Sequence, residues 1–447
     1  MIYGCQQDIL KLDSFEQRVV EYLCRQANSL TNCAIYALKR AARQSGQIDY
    51  NYYDLDKHLK QNRHYKCLFS QVAQQTLISV CESFKSHYEV MQLWYRGELA
   101  LKDTASHKDK PRMPKYRRSG AMSGFTYPAQ HLRLNETVET GLIRLPLGTE
   151  IGKLEGIKEI YIRGPKNIHP ESIKEIRIFP RNKCFYVEWV YQRDVKQHLL
   201  EPKKALGIDP GVKNWLTCVS NTGDSFIIDG KKPNFWNHTL NREVAKHTSP
   251  TSLFRRDSIV SPSGEIQRGG YWSKKLALMT EKRNRRLSDY INKIARTIAN
   301  YCINSGIGTV VMGWNQGIKQ ESNLGKRNNQ NFVQLPTARL KERLKVVLTE
   351  IGVNFVEVNE AYTSKASFLD RDLIPKYGEK PENWKPSGKR IATKLYRTAK
   401  GWLVNADAQA AANILKVASI PSLYLGKITR GVVTRPVRLN LYAPVLA

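Results

Sequence analysis

The spacing of apolar residues changes character several times along the chain. Residues 15–45 place Val19, Leu23, Leu30 and Ile35 at helical intervals between polar positions, and Gly46 stands where such a helix would stop. Residues 65–95 read as helical too. The stretch LKDTASHKDKPRMPKYRRSG (101–120) is basic, contains proline and is poor in apolar residues, so it reads as a loop, either solvated or in contact with phosphates. From about 121 to 195 the period shortens to that of strands. FTYP, HLRL, GLIRLPLG, KEIYIRG and KEIRIFPRNKCFYVEWVYQ follow one another between turn residues, with Pro180-Arg181-Asn182-Lys183 as a hairpin connection. Several short antiparallel strands suggest a small β-barrel.

The second half has a different order. Residues 205–230 read as strand, turn, strand, turn, strand, and 231–272 as a loop-rich insertion. Residues 273–302 form one long helix with Leu287, Ile291, Ile294 and Ile298 along its apolar stripe. TVVMG (309–313) is a buried strand. Residues 335–351 are an amphipathic helix through Leu340, Leu344 and Leu348, 353–358 a further strand, and 405–417 a helix of small residues. Three strands in a meander, then helix, strand, helix, strand and a last helix, is the order of an RNase H-like fold. The fold class expected is therefore multidomain α+β: a helical and β-barrel half, then an RNase H-like α/β half.

Charge narrows the partners. Over 447 residues, 71 Lys and Arg stand against 40 Asp and Glu, a net charge of +31. Such a surplus repels itself in the compact state and favours a densely anionic partner, with nucleic acid ahead of an anionic membrane surface. No apolar run approaches the roughly 18–20 residues of a membrane span, and the first residues carry no secretory pattern. Eight cysteines contain no CxxC pair, which speaks against a zinc ribbon and for free thiols in a reducing cytoplasm. Basic side chains concentrate on the 273–297 helix, at Lys274, Lys275, Lys282, Arg283, Arg285 and Arg286, and again at Lys389 and Arg390 within KPSGKRIATKLYRTAKG (385–401). Both groups are candidates for nucleic-acid contact, the alternative for the helix being a solvated face.

A nuclease of this fold needs about three carboxylates at the ends of adjacent strands, holding two divalent cations roughly 4 Å apart. Asp209 ends an apolar strand just before Gly211, which is equally what a turn-capping Asp would do. Asp407 opens the small-residue helix, where the helix dipole favours an acid in any case. TVVMG ends in Gly313, so a middle carboxylate is missing there. Glu360, at the end of the neighbouring strand, is an alternative source, and strand parity sends Glu357 to the opposite face. Glu360 also reads simply as a surface residue at a strand end.

GIDPGVKNW (207–215), RNRRLSDYINK (283–293), MGWNQGIKQ (312–320), NEAYTSKASFLDRD (359–372) and NADAQAAANIL (405–415) together resemble the TnpB family, insertion-sequence proteins related to type V CRISPR effectors. The resemblance covers about half of the chain. It implies an RNA-guided DNA endonuclease: a guide RNA pairs with target DNA, and a single RuvC-like site cuts with two Mg²⁺ ions, or Mn²⁺ in their place. By that resemblance Asp209 is the first acid and Asp407 the last. Most members carry the second acid where this chain has Gly313, and some carry a Glu before YTSK, the pattern that Glu360 fits. The family often has a four-Cys zinc ribbon between YTS and the last Asp, whereas 363–402 has no Cys. The division implied is a recognition half (1–205), a nuclease part (206–362), a basic nucleic-acid-loading insertion without zinc (363–402), the last nuclease helix (403–420) and a tail (421–447). The competing readings are a guided binder with an inactive site, a CRISPR-associated effector, a protein-only resolvase and a strand-transferring transposase.

Overall fold

The computed structural model describes residues 2–46, 50–98, 110–195, 197–247, 273–315, 335–421 and 423–442, and it divides into two units, 1–194 and 195–447. In the first unit, β1 (Ile2–Ile9) leads into α1 (Ser14–Ser45). Asp13 caps α1 by accepting from the Phe15 and Glu16 amides, and Gly46 ends it in the left-handed conformation at φ 75°. Its buried stripe includes Val19, Leu23, Leu30 and Ile35. The 65–95 segment is two helices rather than one. After α2 (Tyr52–Leu59), α3 (Arg63–Cys67) stops at the extended Leu68, and α4 (Ser70–Tyr95) packs on α1.

The β-rich part follows as β2 (Phe125–Pro128), α5 (Leu134–Thr140), β3 (Leu142–Pro146), α6 (Thr149–Glu155), β4 (Glu159–Arg163), β5 (Ile173–Arg181) and β6 (Cys184–Arg193). HLRL is not a strand: a turn of 3-10 helix covers Ala129–His131 and α5 begins at Leu134, after Arg133 turns the chain at φ 46°. Asn182 and Lys183, both at positive φ, make the tight β5–β6 turn. The expected closed barrel is replaced, among the described residues, by an open antiparallel sheet ordered β1-β6-β5-β2 and a separate β3-β4 ladder. The sequence reading had no strand at 2–9, yet β1 pairs along the whole of β6.

The second unit is a six-stranded mixed sheet ordered β11-β10-β7-β8-β9-β15. Its elements are β7 (Glu201–Pro210), β8 (Asn214–Ser220), β9 (Ser225–Asp229), α7 (Lys231–His247), α8 (Lys274–Ser305), β10 (Ile307–Gly313), α9 (Thr337–Glu350), β11 (Asn354–Val358), the small strands β12 (Lys389–Ala392), β13 (Leu395–Arg397) and β14 (Leu403–Asn405), α10 (Ala406–Val417), α11 (Arg430–Thr434) and β15 (Val437–Leu439). Because β7 starts at Glu201 and pairs with β10, residues 195–205 belong with this unit and not with a half ending at 205. The insertion read as loop-rich contains α7, whose Pro233 falls in the first turn, where proline is tolerated; the rest, 248–272, lies outside the described residues.

Side-chain parity sorts the sheet into two faces. Leu206, Ile208, Val310 and Met312 share a core with Ile291, Ile294 and Ile298 of α8 and with Leu340, Leu344 and Leu348 of α9. Ala205, Val219 and Val311 face α10 instead. Gly207 lies on that second face, and a Cβ there would stand 2.4 Å from the Ala411 carbonyl oxygen. The missing side chain lets the α10 backbone lie directly on β7. The residues read as a tail add β15 to the sheet, parallel to β9. Among the described residues, no helix is long and apolar enough to cross a membrane, and none of the eight cysteines forms a disulfide.

Candidate functional site

Two short-range spacings place the acids. Gly207 and Asp209 are two apart on one face of β7, and Ala411 and Asp407 are four apart on one face of α10. Contact between Gly207 and Ala411 therefore brings the start of α10 to the end of β7. Asp209, Glu360 and Asp407 all line one cleft of about 590 Å³, together with Asn214, Asn234, Asn315 and Arg390.

Asp209 pairs with Thr217 across β7 and β8. It does not cap its turn, since the Gly211 amide bonds the Trp215 carbonyl at 3.0 Å. Its carboxyl is pushed well above the usual range, first by burial and then by the charges of Asp407 and Glu360, with Arg390 opposing.

Glu360 follows β11. Its Oε1 accepts from Asn315 Nδ2 at 3.3 Å, its amide donates to Asn315 Oδ1 at 3.3 Å, and burial raises its carboxyl. Glu357 is turned away and bonds Lys341 on α9 at 2.6 Å. Gly313 explains where the Glu360 side chain lies. A Cβ on Gly313 would stand 3.0 Å from Glu360 Oε2, 3.1 Å from Glu360 Cβ and 2.7 Å from Ile414 Cδ1. The Glu360 side chain thus takes up space beside β10 that a residue-313 side chain would need.

Asp407 is not the cap of its helix, because Asn405 Oδ1 accepts from the Asp407 and Ala408 amides. Both Asp407 oxygens point outward to other elements. Oδ2 accepts from Asn214 Nδ2 at 2.7 Å and Oδ1 from Arg390 Nη2 at 3.0 Å. Arg390 is thus an ion-pair partner of the acid cluster, whereas its neighbour Lys389 is exposed and makes no such contact. On α8, Lys274, Lys275, Lys282, Arg285 and Arg286 are exposed. Arg283 is not: it is half-buried, its Nη1 bonds Asn284, and its Nε is buried without a partner.

The donors around the cleft are hard oxygens, chemically suited to Mg²⁺ or Mn²⁺ rather than zinc. Asn234 Oδ1 is buried in its wall without a hydrogen-bond partner, and the crowded carboxylates are charges a divalent cation neutralises. As the side chains stand, no three His, Cys, Asp or Glu among the described residues group closely enough to hold one ion. Sequence reasoning missed Asn214 and Asn315, although Asn214 lies inside GVKNW and Asn315 inside MGWNQGIKQ.

Residues 188–319 match the family model of the OrfB_IS605 proteins, described as probable transposases. No curated protein matches the chain. Among solved structures, the chain is similar to Cas12f1 in a Cas12f1–sgRNA–target DNA complex, with 16% identity, a TM-score of 0.57, and coverage of 92% of this chain and 84% of that one. It also matches the mini-RNA-guided endonuclease CRISPR-Cas phi3 at 12% identity and TM-score 0.48, covering 94% and 92%.

Proposed function

We propose that this chain is an RNA-guided DNA endonuclease of the TnpB family with one RuvC-like site, a reading that the family-model match over residues 188–319 supports. Its partners in this reading are a guide RNA and target DNA, the chemistry with which the Cas12f1 chain of the same fold was solved. A net charge of +31 suits both partners. The β7-β8-β9 meander, followed by β10 and β11 parallel to β7, supports the RuvC-like assignment.

The observation that carries the reading is the meeting of Asp209, Glu360 and Asp407 at one cleft, with the Glu360 side chain in the space that Gly313 leaves open. These three would hold the divalent cations, which would supply an activated water and stabilise charge on the leaving oxygen. The chain's own residues do the rest. Asp209 is carried on β7, whose pairing with β8 fixes its backbone. Asn315 holds Glu360 through its Oε1 and its amide. Asn214 holds Asp407 from β8. Exposed Lys and Arg on α8 offer phosphate contacts that carry no sequence information.

Sequencing RNA that copurifies with the chain, then programming cleavage with it in Mg²⁺, tests the function. Cleavage at the guide-matched DNA is expected. Glu360→Gln, Asp209→Ala and Asp407→Ala should each abolish cutting while leaving guide and target binding nearly intact. A wild-type chain that binds guide and target but never cuts would favour a guided binder, the reading that the Arg390–Asp407 ion pair favours. Absence of any bound RNA would overturn both.

A further inference from the structure

Asp407 is oriented from outside its own helix, and the orientation can be followed one residue further. A carboxamide offers an NH₂ group on one side and an oxygen on the other, so whatever engages one end decides what the other end presents. Asn214 is 3% exposed and donates its Nδ2 to Asp407 Oδ2 at 2.7 Å. Its Oδ1 accepts from Arg438 Nη2 at 3.0 Å. A guanidinium has donors only, so Arg438 requires the Asn214 oxygen to face it and the NH₂ group to face Asp407. Arg438 is fixed in turn. It sits on β15 opposite Ile227 of β9, with Nη1 3.7 Å from Asp229 Oδ2, and Asp229 pairs with Asn214 across β8 and β9.

We infer that Arg438 is a positioning residue: it locks the Asn214 amide, and through it orients the Asp407 carboxylate for cation binding. This rests on the reading of Asp407 as a cation-holding carboxylate. The residues read from sequence as a tail then form part of the support of the site. Partners that orient metal ligands are worth about 10–100-fold in metal affinity, and Arg438 acts through an intermediary, so the lower end is expected. The sign discriminates. Loss of a nearby positive charge by itself would tighten cation binding, whereas loss of positioning weakens it.

The test is Mn²⁺ affinity of the purified full chain by calorimetry. Asp407→Asn is measured first, and unchanged affinity there would sink the functional reading and this inference with it. If Asp407→Asn weakens binding, Arg438→Gln should weaken it about tenfold, and Arg438→Lys, which keeps a donor, should recover part of the loss. Asn214→Ala should match Arg438→Gln, and the double variant should be no worse than either single one, because Arg438 acts only through Asn214. Asn214→Ala also serves as the second arm if Arg438→Gln loosens β15 enough to lower the melting temperature. Unchanged or tighter binding in Arg438→Gln, or additive losses in the double variant, would overturn the inference while leaving the role of Asp407 standing.

Discussion

Glu360 and Gly313 exclude one another's alternatives: a Cβ at 313 would stand 3.0 Å from Glu360 Oε2 and 3.1 Å from Glu360 Cβ. Only the residue without a side chain lets Glu360 lie where it does. Gly313→Ala is expected to cost about 1–3 kcal/mol through overpacking against Glu360 and Ile414. Denaturant unfolding of Gly313→Ala, Glu360→Ala and the double variant checks the pair. The double variant should be more stable than the sum of the single losses predicts. Plain additivity would mean the two side-chain volumes do not compete.

Asp209 makes the metal-free protein less stable as pH rises. Its folded pKa is raised, so between the unfolded value of about 4 and that raised value the native state binds more protons than the unfolded one. Stability from this group is complete below the unfolded pKa and is lost as pH rises through the folded pKa. In EDTA, wild type should therefore lose stability relative to Asp209→Asn as pH is raised from about 4. Unfolding curves across a pH series read the difference, and a constant gap between the two proteins would contradict it.

Arg390 and Lys389 are adjacent in sequence but differ in role. Arg390 bonds Asp407 Oδ1 at 3.0 Å, while Lys389 is exposed. A cation approaching that oxygen meets the guanidinium. Arg390→Gln should therefore tighten Mn²⁺ binding several-fold in the chain without nucleic acid, and Lys389→Gln should leave it unchanged. Equal tightening in both variants would reduce the effect to the general field of the basic insertion.

Much of the second unit was legible because its signals are local and repeated. The α8 stripe of Leu287, Ile291, Ile294 and Ile298 is buried as its spacing predicts, and so are Leu340, Leu344 and Leu348 of α9. What the pattern could not show depends on distant partners. β1 reads as an ordinary polar start until it is paired with β6, Ile2 with Arg193 and Ile9 with Tyr186. HLRL has strand-like alternation, but Arg133 at positive φ breaks it. Arg390 looks like any basic residue, since its tie to Asp407 exists only after the sheet and insertion fold. Arg438 lies even further from any motif.

The basic face of α8 splits by burial. Arg285 and Arg286 are exposed, whereas Arg283 is half-buried, with its guanidinium destabilised by desolvation. Reversing Arg285 and Arg286 to Glu should weaken nucleic-acid binding at every sequence tested and flatten the log K against log salt slope by about 0.9 per lost phosphate contact. Arg283→Gln should change stability more than binding. A binding loss from Arg283→Gln as large as that from the double reversal would show that Arg283 turns outward to the backbone.

The 363–402 segment has no cysteine, and two carboxylates take over its cross-links. Asp370 Oδ2 accepts from Ser367 Oγ at 2.6 Å, from Ser387 Oγ at 3.3 Å and from the Ala399 amide at 2.7 Å. Asp372 Oδ2 accepts from the Ser367 and Ser387 amides at 2.7 and 3.0 Å. Three separated stretches are thus gathered on two side chains. Lys416 of α10 ties them to the sheet by donating to the Asp372 carbonyl at 2.6 Å. Hydrogen bonds to a charged acceptor are worth about 1.5–3 kcal/mol, so each carboxylate matters locally. Asp370→Ala should strip hydrogen-exchange protection from Ala399, and Asp372→Ala from Ser367 and Ser387, with little change in the first unit. EDTA is expected to leave all three protected. Loss of protection on chelation would mean that a metal does part of this work, and intact protection in both variants would mean that the backbone turns alone suffice.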